Sequence, residues 1–303
     1  MPIEMVMHLP MGGLSNRPLM ADFSPYRIDP GMNVGGTLVS TLVRDYPHSG
    51  RFGLNQYALS GVQPRIDLDG EFTVECYAWI DPADKSGASG VVQAPMVSFM
   101  QYGNNAQRFQ ALYVAPGSGN ISSWSDANWQ TLSIPGADYQ AGEWVHLCVQ
   151  RRTYPTVMNA IYLNGVKKDE SVGPAPLYRQ WVIANYSRSA SAHRHSSNLH
   201  MQDVKVWCGG VLYDMEGFQP PDRLGGHIHG VITDENGSPA KRDVVILTRP
   251  PRSQSIVQTF SSDPETGEYG GFVPYGEEVS RIVFAEAEGP PLLNDLIDRI
   301  IPG

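Results

Sequence analysis

The chain has 303 residues, of which 17% are charged, and its formal net charge at pH 7 is −9. Its basic residues include the isolated pairs Arg151–Arg152, Lys167–Lys168 and Lys241–Arg242, which would neutralise few phosphates, so the charge excludes nucleic acid as the main partner. Three cysteines without a C-x-x-C pair exclude a disulfide framework and predict buried thiols. No secretory signal is recognisable, and no apolar run approaches the ~18 residues of a membrane span. We therefore expect synthesis in the cytoplasm and no membrane insertion.

Alternation of apolar and polar residues with period 2, interrupted by Gly, Pro, Asn and Asp, predicts an all-β protein. The candidate strands of the first two thirds are 71–80, 95–103, 108–116, 144–152, 159–165 and 199–209. Both faces of the 144–152 strand are mostly apolar, which is typical of a strand covered on both sides. One face carries Val145, Leu147 and Val149, and the other carries Trp144, His146 and Cys148. Asn164–Gly165 predicts a tight hairpin turn, because both residues accommodate positive φ.

A Pro- and Gly-rich stretch at 220–226 predicts a linker, and we divide the chain into residues 1–222 and 223–303. The second part contains candidate strands at 227–233, 243–248, 255–262 and 279–289, which predict a small antiparallel sandwich. The apolar spacing of its C-terminal segment fits either a short amphipathic helix or an arm that docks on a neighbour. The residues of this assembly arm are Leu292, Leu293, Leu296, Ile297, Ile300 and Ile301.

Four motifs occur in the order FTVECYAWIDP (72–82), AGEWVHLCVQRR (141–152), AIYLNGVKK (160–168) and VKVWCGGVLYDMEGFQPP (204–221). Together they resemble the laminin-G-like, concanavalin-A-like jelly-roll domain. The residues that match its pattern are Phe72, Thr73, Glu75, Trp79, Gly142, Trp144, His146, Tyr162, Asn164, Gly165, Tyr213, Phe218 and Pro220. The resemblance implies a jelly-roll sandwich over residues 1–222.

The stretch GGHIHGVITDENGSPAKRDVVIL (225–247), with SSDPETGEY (261–269), resembles the transthyretin-like, carboxypeptidase-regulatory-like sandwich. The ending NDLIDRIIP (294–302) is similar to the close of such modules in structural proteins of tailed bacteriophages. The two resemblances imply a concanavalin-A-like jelly roll followed by a small transthyretin/Ig-like β-sandwich in a virion protein.

The concanavalin-like fold also houses glucanases, which need two carboxylates at a defined separation. Asp67, Asp69 and Glu71 alternate, but Gly70 interrupts them and they precede the strand, so we interpret them as a solvated turn. Glu75 lies within the strand, and we expect it to be partly buried with a local partner. His146 and Cys148 are too far apart along one strand for a nucleophile–base hydrogen bond, and no Asp or Asn is evidently placed to orient the histidine. We therefore expect no catalytic residues.

Histidine pairs at 193/195 and 227/229, with His200 near the first, have a spacing that zinc sites use. The first pair is equally explained as solvated loop residues, and the second as the start of an ordinary strand. We expect no bound metal and no cofactor. Calcium stays an open alternative. Many laminin-G-like domains hold it through loop Asp, Asn and carbonyl oxygens, but the sequence identifies no ligand set.

Aromatic residues beside polar ones in two predicted loops are candidates for ligand binding. The first loop, 119–131, offers Trp124 and Trp129 with Asn120, Asp126 and Asn128, and the second offers Tyr186 and Arg188. Exposed aromatic rings next to polar groups are typical of sugar recognition, and aromatic residues are also enriched at protein interfaces.

We expect a non-enzymatic structural protein of a tailed-phage virion, in its tail, fibre or capsid surface. Its partners would be other virion proteins, and it would form a homo-oligomer. The alternative is a glycan-binding adhesin that recognises the host surface. Because the C-terminal segment is expected to anchor the protein, deletion of residues 290–303 should leave a folded chain that no longer assembles.

Overall fold

The computed structural model describes residues 3–9, 11, 32–42, 44, 49–53, 56–59, 66, 68–89, 94–101, 104–125, 129–173, 180–184, 198–220, 226–234, 236–248, 256–273, 279–284 and 295–300. The chain divides into two compact units, Met1–Pro220 and Pro221–Gly303. The division falls within the Pro- and Gly-rich stretch 220–226 that was chosen as the linker.

The first unit is almost entirely antiparallel β-structure. Its strands are β1 (Glu4–Leu9), β2 (Met32–Val34), β3 (Thr37–Val39), β4 (Ser49–Gly53), β5 (Tyr57–Leu59), β6 (Phe72–Trp79), β7 (Ala94–Gln101), β8 (Asn104–Ala115), β9 (Asn120–Ser125), β10 (Trp129–Ile134), β11 (Trp144–Arg152), β12 (Met158–Leu163), β13 (Val166–Ser171), β14 (Gln180–Ile183) and β15 (Asn198–Cys208). Two short helices join them, α1 (Pro82–Ser86) and a 3-10 turn (Gly136–Asp138). Each predicted strand of this unit is present, with bounds shifted by a few residues at most ends.

Two sheets form a sandwich with jelly-roll architecture. The first sheet has the order β13-β12-β11-β6-β15-β4-β3, with β1 also paired to β15, and the second has the order β10-β9-β8-β7-β14-β5-β2. The buried core between them is dense in aromatic and branched side chains, and Phe109 contacts both Phe72 and Phe99 at centroid distances of 5.9 and 6.0 Å. The predicted all-β jelly roll is confirmed.

Strand β11 shows how the sequence pattern places side chains. Val145, Leu147 and Val149 enter the core between the sheets. Cys148 faces the other way, into a second apolar cluster that includes Tyr162. The prediction of a strand covered on both sides is confirmed, and the covering layer on the outer face is the segment 209–220 that follows β15. We call it the closing segment.

The Asn164–Gly165 turn connects β12 and β13 as predicted, with φ values of 50° and 78°. A side chain at position 165 would collide with the closing segment, because a Cβ there would overlap the Phe218 carbonyl oxygen. Phe218 N in turn donates a hydrogen bond to Gly165 O at 2.9 Å. Glycine is therefore required both by the turn and by the chain that packs on it.

The second unit contains a two-stranded sheet and a four-stranded sheet, both antiparallel. Its strands are β16 (Gly226–Val231), β17 (Asp243–Thr248), β18 (Ile256–Ser261), β19 (Glu268–Val273), β20 (Val279–Phe284) and β21 (Asp295–Ile300). β16 pairs with β19, and the larger sheet has the order β18-β17-β20-β21. The four strands predicted for this unit are present, and its transthyretin-like character stays a prediction.

The helix considered for the C-terminal segment is wrong for residues 295–300. They form β21, an edge strand that pairs with β20 through Ile282 opposite Leu296 and Arg281 opposite Ile297. Leu292, Leu293 and Ile301 lie outside the described residues, and the assembly role of the segment stays a prediction. Nowhere in the described ranges does a helix have the length and apolarity needed to cross a membrane.

Candidate functional site

A buried polar cluster occupies the outer face of the first sheet. Its centre is Glu75 on β6, which is 1% exposed. Oε2 of this carboxylate lies 3.1 Å from His146 Nε2 and accepts the Tyr213 hydroxyl at 2.7 Å. Oε1 accepts Trp207 Nε1 at 3.4 Å and lies 3.8 Å from Lys205 Nζ. Neighbouring strands supply His146, Lys205 and Trp207, because β11 and β15 flank β6. Tyr213 comes from the closing segment.

Lys205 is balanced by a second acid. Asp203 lies at a β-bulge in β15 with a φ of 57°, and its Oδ2 is 2.6 Å from Lys205 Nζ. Both side chains are buried. The close approach of these two side chains lets the acid and the base compensate each other's charge away from water.

Burial and the neighbouring charges shift the pKa values of the side chains in this cluster. Burial raises the pKa of Glu75, but the His146 hydrogen bond and the Lys205 charge outweigh it and hold the pKa below its ordinary value. Burial, and then the charge of Glu75, raise the pKa of the Tyr213 hydroxyl. Burial also raises the pKa of the Cys148 thiol. Glu75 is thus an anion at neutral pH, and Cys148 is an unreactive thiol.

The expectation of a local partner for Glu75 is confirmed. The group that orients the His146 ring is Glu75 on the adjacent strand, which the sequence analysis did not consider for that role. A search for Asp or Asn near His146 in the sequence does not find a glutamate that approaches it from another strand. The assignment of His146 and Cys148 to a packed interior is confirmed by their burial.

The closing segment seals this cluster. Leu212 N donates to Thr73 Oγ1 and Tyr213 N donates to Gln150 Oε1, both at 3.0 Å. Phe218 stacks on Tyr213 with ring centroids 3.9 Å apart. The Glu75 carboxylate therefore has no open path to a substrate on this face, and the arrangement holds the closing segment to the sheet.

The hairpin of β9 and β10 contains the first predicted ligand-binding loop. Residues 120–125 and 129–134 are strands rather than loop, which places Trp124 within the second sheet, opposite Gln110 and half-buried. Asn120 Oδ1 accepts a hydrogen bond from Gly136 N at 3.0 Å and so supports the neighbouring turn. Asp126, Asn128, Tyr186, Arg188 and the side chain of Trp129 lie outside the described residues.

An exposed aromatic ring at one end of the sandwich was missed by the sequence analysis. Tyr154, in the loop between β11 and β12, is 82% exposed, and it is the one exposed aromatic side chain among those that the structure describes. Glu71 at the start of β6 holds this loop. Its Oε1 accepts Thr153 N at 2.8 Å, Thr153 Oγ1 at 3.1 Å and Tyr154 N at 3.4 Å.

Partial burial raises the pKa of Glu71, but the hydrogen bonds from Thr153 and Tyr154 outweigh it and lower the pKa below its ordinary value. Glu71 was interpreted as part of a solvated turn with Asp67 and Asp69. Asp69 is exposed as expected, Asp67 lies outside the described residues, and Glu71 is instead an anchor for the 153–154 backbone. The TYPT stretch at 153–156 was the available signal, since Pro155 favours a turn, and turns lie at the surface.

Of the histidines considered as metal ligands, His200 is the one whose side chain the structure describes. His200 is buried, with Nδ1 3.1 Å from Ser49 Oγ and its ring against Trp79. His193, His195 and the side chains of His227 and His229 lie outside the described residues. Within the described part of the chain, no group of three or more His, Cys, Asp or Glu side chains is arranged to hold a metal ion.

The second unit has an open cleft of about 730 Å³ beside the β16–β19 pair. Asp263, Glu268 and Tyr269 contribute to its lining. Asp263 Oδ1 already accepts Glu265 N at 2.7 Å and Thr266 N at 2.9 Å, and these bonds lower its pKa. This carboxylate therefore caps its own turn.

The fold and these surfaces define a lectin-like β-sandwich. The family model described as the concanavalin A-like lectin/glucanases superfamily matches residues 52–209, and the chain belongs to this superfamily. No curated protein sequence matches the chain.

Solved structures with a similar fold include toxin binding domains. The binding domain of botulinum neurotoxin serotype D has a TM-score of 0.52 at 12% identity, over 94% of this chain and 73% of that one. The serotype D ligand binding domain in complex with N-acetylneuraminic acid has a TM-score of 0.51 at 12% identity, over 94% and 71%. The binding domain of Paraclostridial Mosquitocidal Protein 1 has a TM-score of 0.49 at 11% identity, over 98% and 73%.

Proposed function

We propose that this chain is a non-enzymatic carbohydrate-binding protein of a tailed-phage virion, and that the jelly roll binds host-surface sugars at the end of the sandwich that carries Tyr154. The exposed ring of Tyr154 on its anchored loop is the observation on which the proposal depends. Membership in a superfamily that contains lectins supports it, as does the fold shared with a toxin domain solved with N-acetylneuraminic acid.

The geometry around Tyr154 suits sugar recognition. The apolar face of a pyranose stacks on an aromatic ring, while neighbouring polar groups bond its hydroxyls. Thr153, Thr156 and Asp69 supply exposed polar groups at this end. Because Glu71 already orders the loop, binding would cost little additional conformational entropy.

The absence of hydrolysis is part of the proposal. A glycoside hydrolase of this fold needs an acid and a second carboxylate that both reach the sugar. Glu75 is the carboxylate at the centre of the first sheet, and the closing segment covers it while His146, Lys205 and Tyr213 occupy its oxygens. Glu75 therefore does not reach a sugar bound at Tyr154, and we propose binding without cleavage of the glycosidic bond.

The virion location and the cytoplasmic synthesis are proposed from the sequence resemblance of the second unit to phage modules. A specific observation also favours a second function, contact with other virion proteins or with further copies of the chain. β21 is an edge strand, and the free side of an edge strand can pair with a strand of another chain.

A glycan array with the whole chain tests the proposed function. We expect binding to a defined subset of sugars, and loss of that binding in Tyr154→Ala with an unchanged melting temperature. Val166→Ala is the matched control, since Val166 is 57% exposed at the opposite end of the same sheet. Absence of binding to any sugar at millimolar concentration, or equal binding by both variants, would contradict the proposal.

A further inference from the structure

A straight row of side chains crosses the outer face of the first sheet, at the end of the sandwich opposite Tyr154. Strand register aligns one residue from each of five neighbouring strands, β3, β4, β15, β6 and β11. In strand order, the members of this outer row are Thr37, Arg51, His200, Trp79 and Trp144. The chain neighbours Phe52, Ala78 and Val145 lie in the core, so strand alternation turns the outer row away from it.

The two tryptophans are the aromatic half of the outer row. Trp79 and Trp144 are directly opposite in the β6–β11 pairing, and each is half-buried. On its other side, Trp79 contacts the His200 ring edge-to-face at a centroid distance of 5.4 Å. His200 is buried, with Nδ1 3.1 Å from Ser49 Oγ, and so gives Trp79 a fixed support. A supported and partly open indole is a surface on which the apolar face of a sugar stacks.

Arg51 is the charged half of the outer row, and its orientation is fixed. It is exposed, and its Nε donates to Asn198 Oδ1 at 2.9 Å. Asn198 Nδ2 in turn donates to Asp81 Oδ2 at 3.2 Å, and Asp81 Oδ1 accepts Ala83 N at 2.7 Å. Both oxygens of Asp81 are thus engaged, while the Nη groups of Arg51 donate to no residue that the structure describes. Arg51 therefore offers positively charged donors to a ligand.

The charges along the outer row give it a direction. Burial, and then the charge of Arg51, lower the pKa of His200 to about 4, so the imidazole is neutral at neutral pH. Glu143 is exposed beside Trp144 in the chain and adds a negative charge at the aromatic end. Two strand spacings of about 4.8 Å each put the backbones of Arg51 and Trp79 roughly 10 Å apart. The outer row therefore favours an anionic group at Arg51 and an uncharged ring at the tryptophans.

We propose that the outer row binds an acidic oligosaccharide, with an uncharged sugar ring on Trp79 and Trp144 and a carboxylate or sulfate on Arg51. A strand separates the two halves, so a ligand of two or more sugar units spans them. The guanidinium edge pairs with two oxygens of a planar carboxylate or of a tetrahedral anion. Because Asn198 already orients Arg51, binding costs little side-chain entropy. This site lies at the other end of the sheet from Tyr154 and does not depend on the site proposed there.

An acidic peptide would offer the same carboxylate to Arg51. The centre of a protein interface is apolar and depleted in charged residues, whereas the tryptophans here are flanked by polar side chains. These flanking side chains are those of Thr37, Arg51, Asn198, Asp81 and Glu143. The surroundings favour a hydroxyl-rich ligand, and the peptide is one arm of the test.

The test uses the whole chain with Tyr154→Ala, so that the site of the proposed function does not contribute. Calorimetry measures the binding of tetragalacturonate, its neutral methyl ester, a heparin tetrasaccharide and tetraglutamate. The ester keeps the sugar rings and removes their charge. We expect at least one acidic tetrasaccharide to bind about tenfold or more tighter than the ester, as one charge-assisted bond would give.

Further substitutions in that chain separate the two halves of the outer row. Arg51→Gln should lower the affinity for the acidic tetrasaccharide to that for the ester. Trp144→Leu should weaken the binding of both ligands together. Lys241→Gln is the matched control, because it removes one positive charge from an exposed residue of the second unit, and it should change neither affinity. Equal melting temperatures of Arg51→Gln and Lys241→Gln show that the compared proteins are folded.

Equal affinity for the acidic tetrasaccharides and the ester, or no binding of any of them, overturns the inference. An acidic preference that persists in Arg51→Gln does so as well. Binding of tetraglutamate as tight as that of the acidic sugars overturns the assignment to a sugar. The Tyr154 site is tested separately, because only the sugars whose binding Tyr154→Ala abolishes report on it.

Discussion

Tyr213 donates its hydroxyl hydrogen to Glu75 Oε2 across 2.7 Å, and this bond joins the closing segment to the centre of the first sheet. The two residues are far apart in sequence, and the bond buries the hydroxyl against a carboxylate that His146 also contacts. It is a hydrogen bond to a charged acceptor, the stronger kind in proteins.

Removing this hydroxyl should destabilise the first unit. We expect Tyr213→Phe to lower the free energy of unfolding by about 1.5–3 kcal/mol, because the bond is charge-assisted and partly shielded from water. Urea denaturation monitored by tryptophan fluorescence measures it. Tyr154→Phe is the control and should change stability by less than about 0.5 kcal/mol, since that ring is exposed. Equal stability of the two variants would show that the closing segment is held by other contacts.

The approach of the closing segment to the Asn164–Gly165 turn predicts a second stability difference. Gly165→Ala should destabilise the protein by about 3 kcal/mol or more, because positive φ and a collision with the Phe218 carbonyl both oppose the new Cβ. Gly117→Ala should cost only about 1–2 kcal/mol, since Gly117 has a similar φ of 87° but open space around it. Comparable losses in the two variants would mean that the closing segment moves freely away.

His200 predicts a pH dependence of stability. Burial, and then the charge of Arg51, lower the pKa of His200 to about 4 from its ordinary 6.5. Between these values the unfolded chain binds a proton that the folded chain does not, so stability is full above about pH 6.5 and falls as the pH drops toward 4. The shift corresponds to about 3 kcal/mol at most.

The variant His200→Gln tests this dependence by urea unfolding between about pH 7 and 4. Its stability should decline less steeply than that of wild type over this range. Identical slopes for the two proteins would show that His200 titrates normally in the folded state.

Glu71 should matter for binding more than for stability. Glu71→Ala removes the acceptor for three hydrogen bonds to residues 153 and 154, so the Tyr154 loop should become disordered and sugar affinity should fall about threefold to tenfold. Faster amide exchange at Thr153 and Tyr154, measured by NMR, should accompany the loss. Glu143→Ala, at an exposed glutamate before β11, should change neither quantity.

The C-terminal segment shows the limit of local patterns. Apolar residues at 296, 297, 300 and 301 satisfy a helical stripe and also a strand with apolar residues on both faces. The pairing of β21 with β20 decides for the strand, because the open edge of β20 offers backbone groups that a strand satisfies and a helix does not. No periodicity in the segment itself contains that information.

The sequence by itself determined the ten strands marked by alternation, the two faces of β11 and the hairpin at Asn164–Gly165, because alternation and turn chemistry act over a few residues. Its ordered motifs indicated the family. Only the tertiary structure decided which polar residues meet. Glu75 and His146 lie on adjacent strands, and the pairing of β6 with β11 brings them to 3.1 Å. The exposure of Tyr154 likewise could not be read from the sequence. Burial and hydrogen-bond partners depend on strand order and register, which join residues distant in the chain.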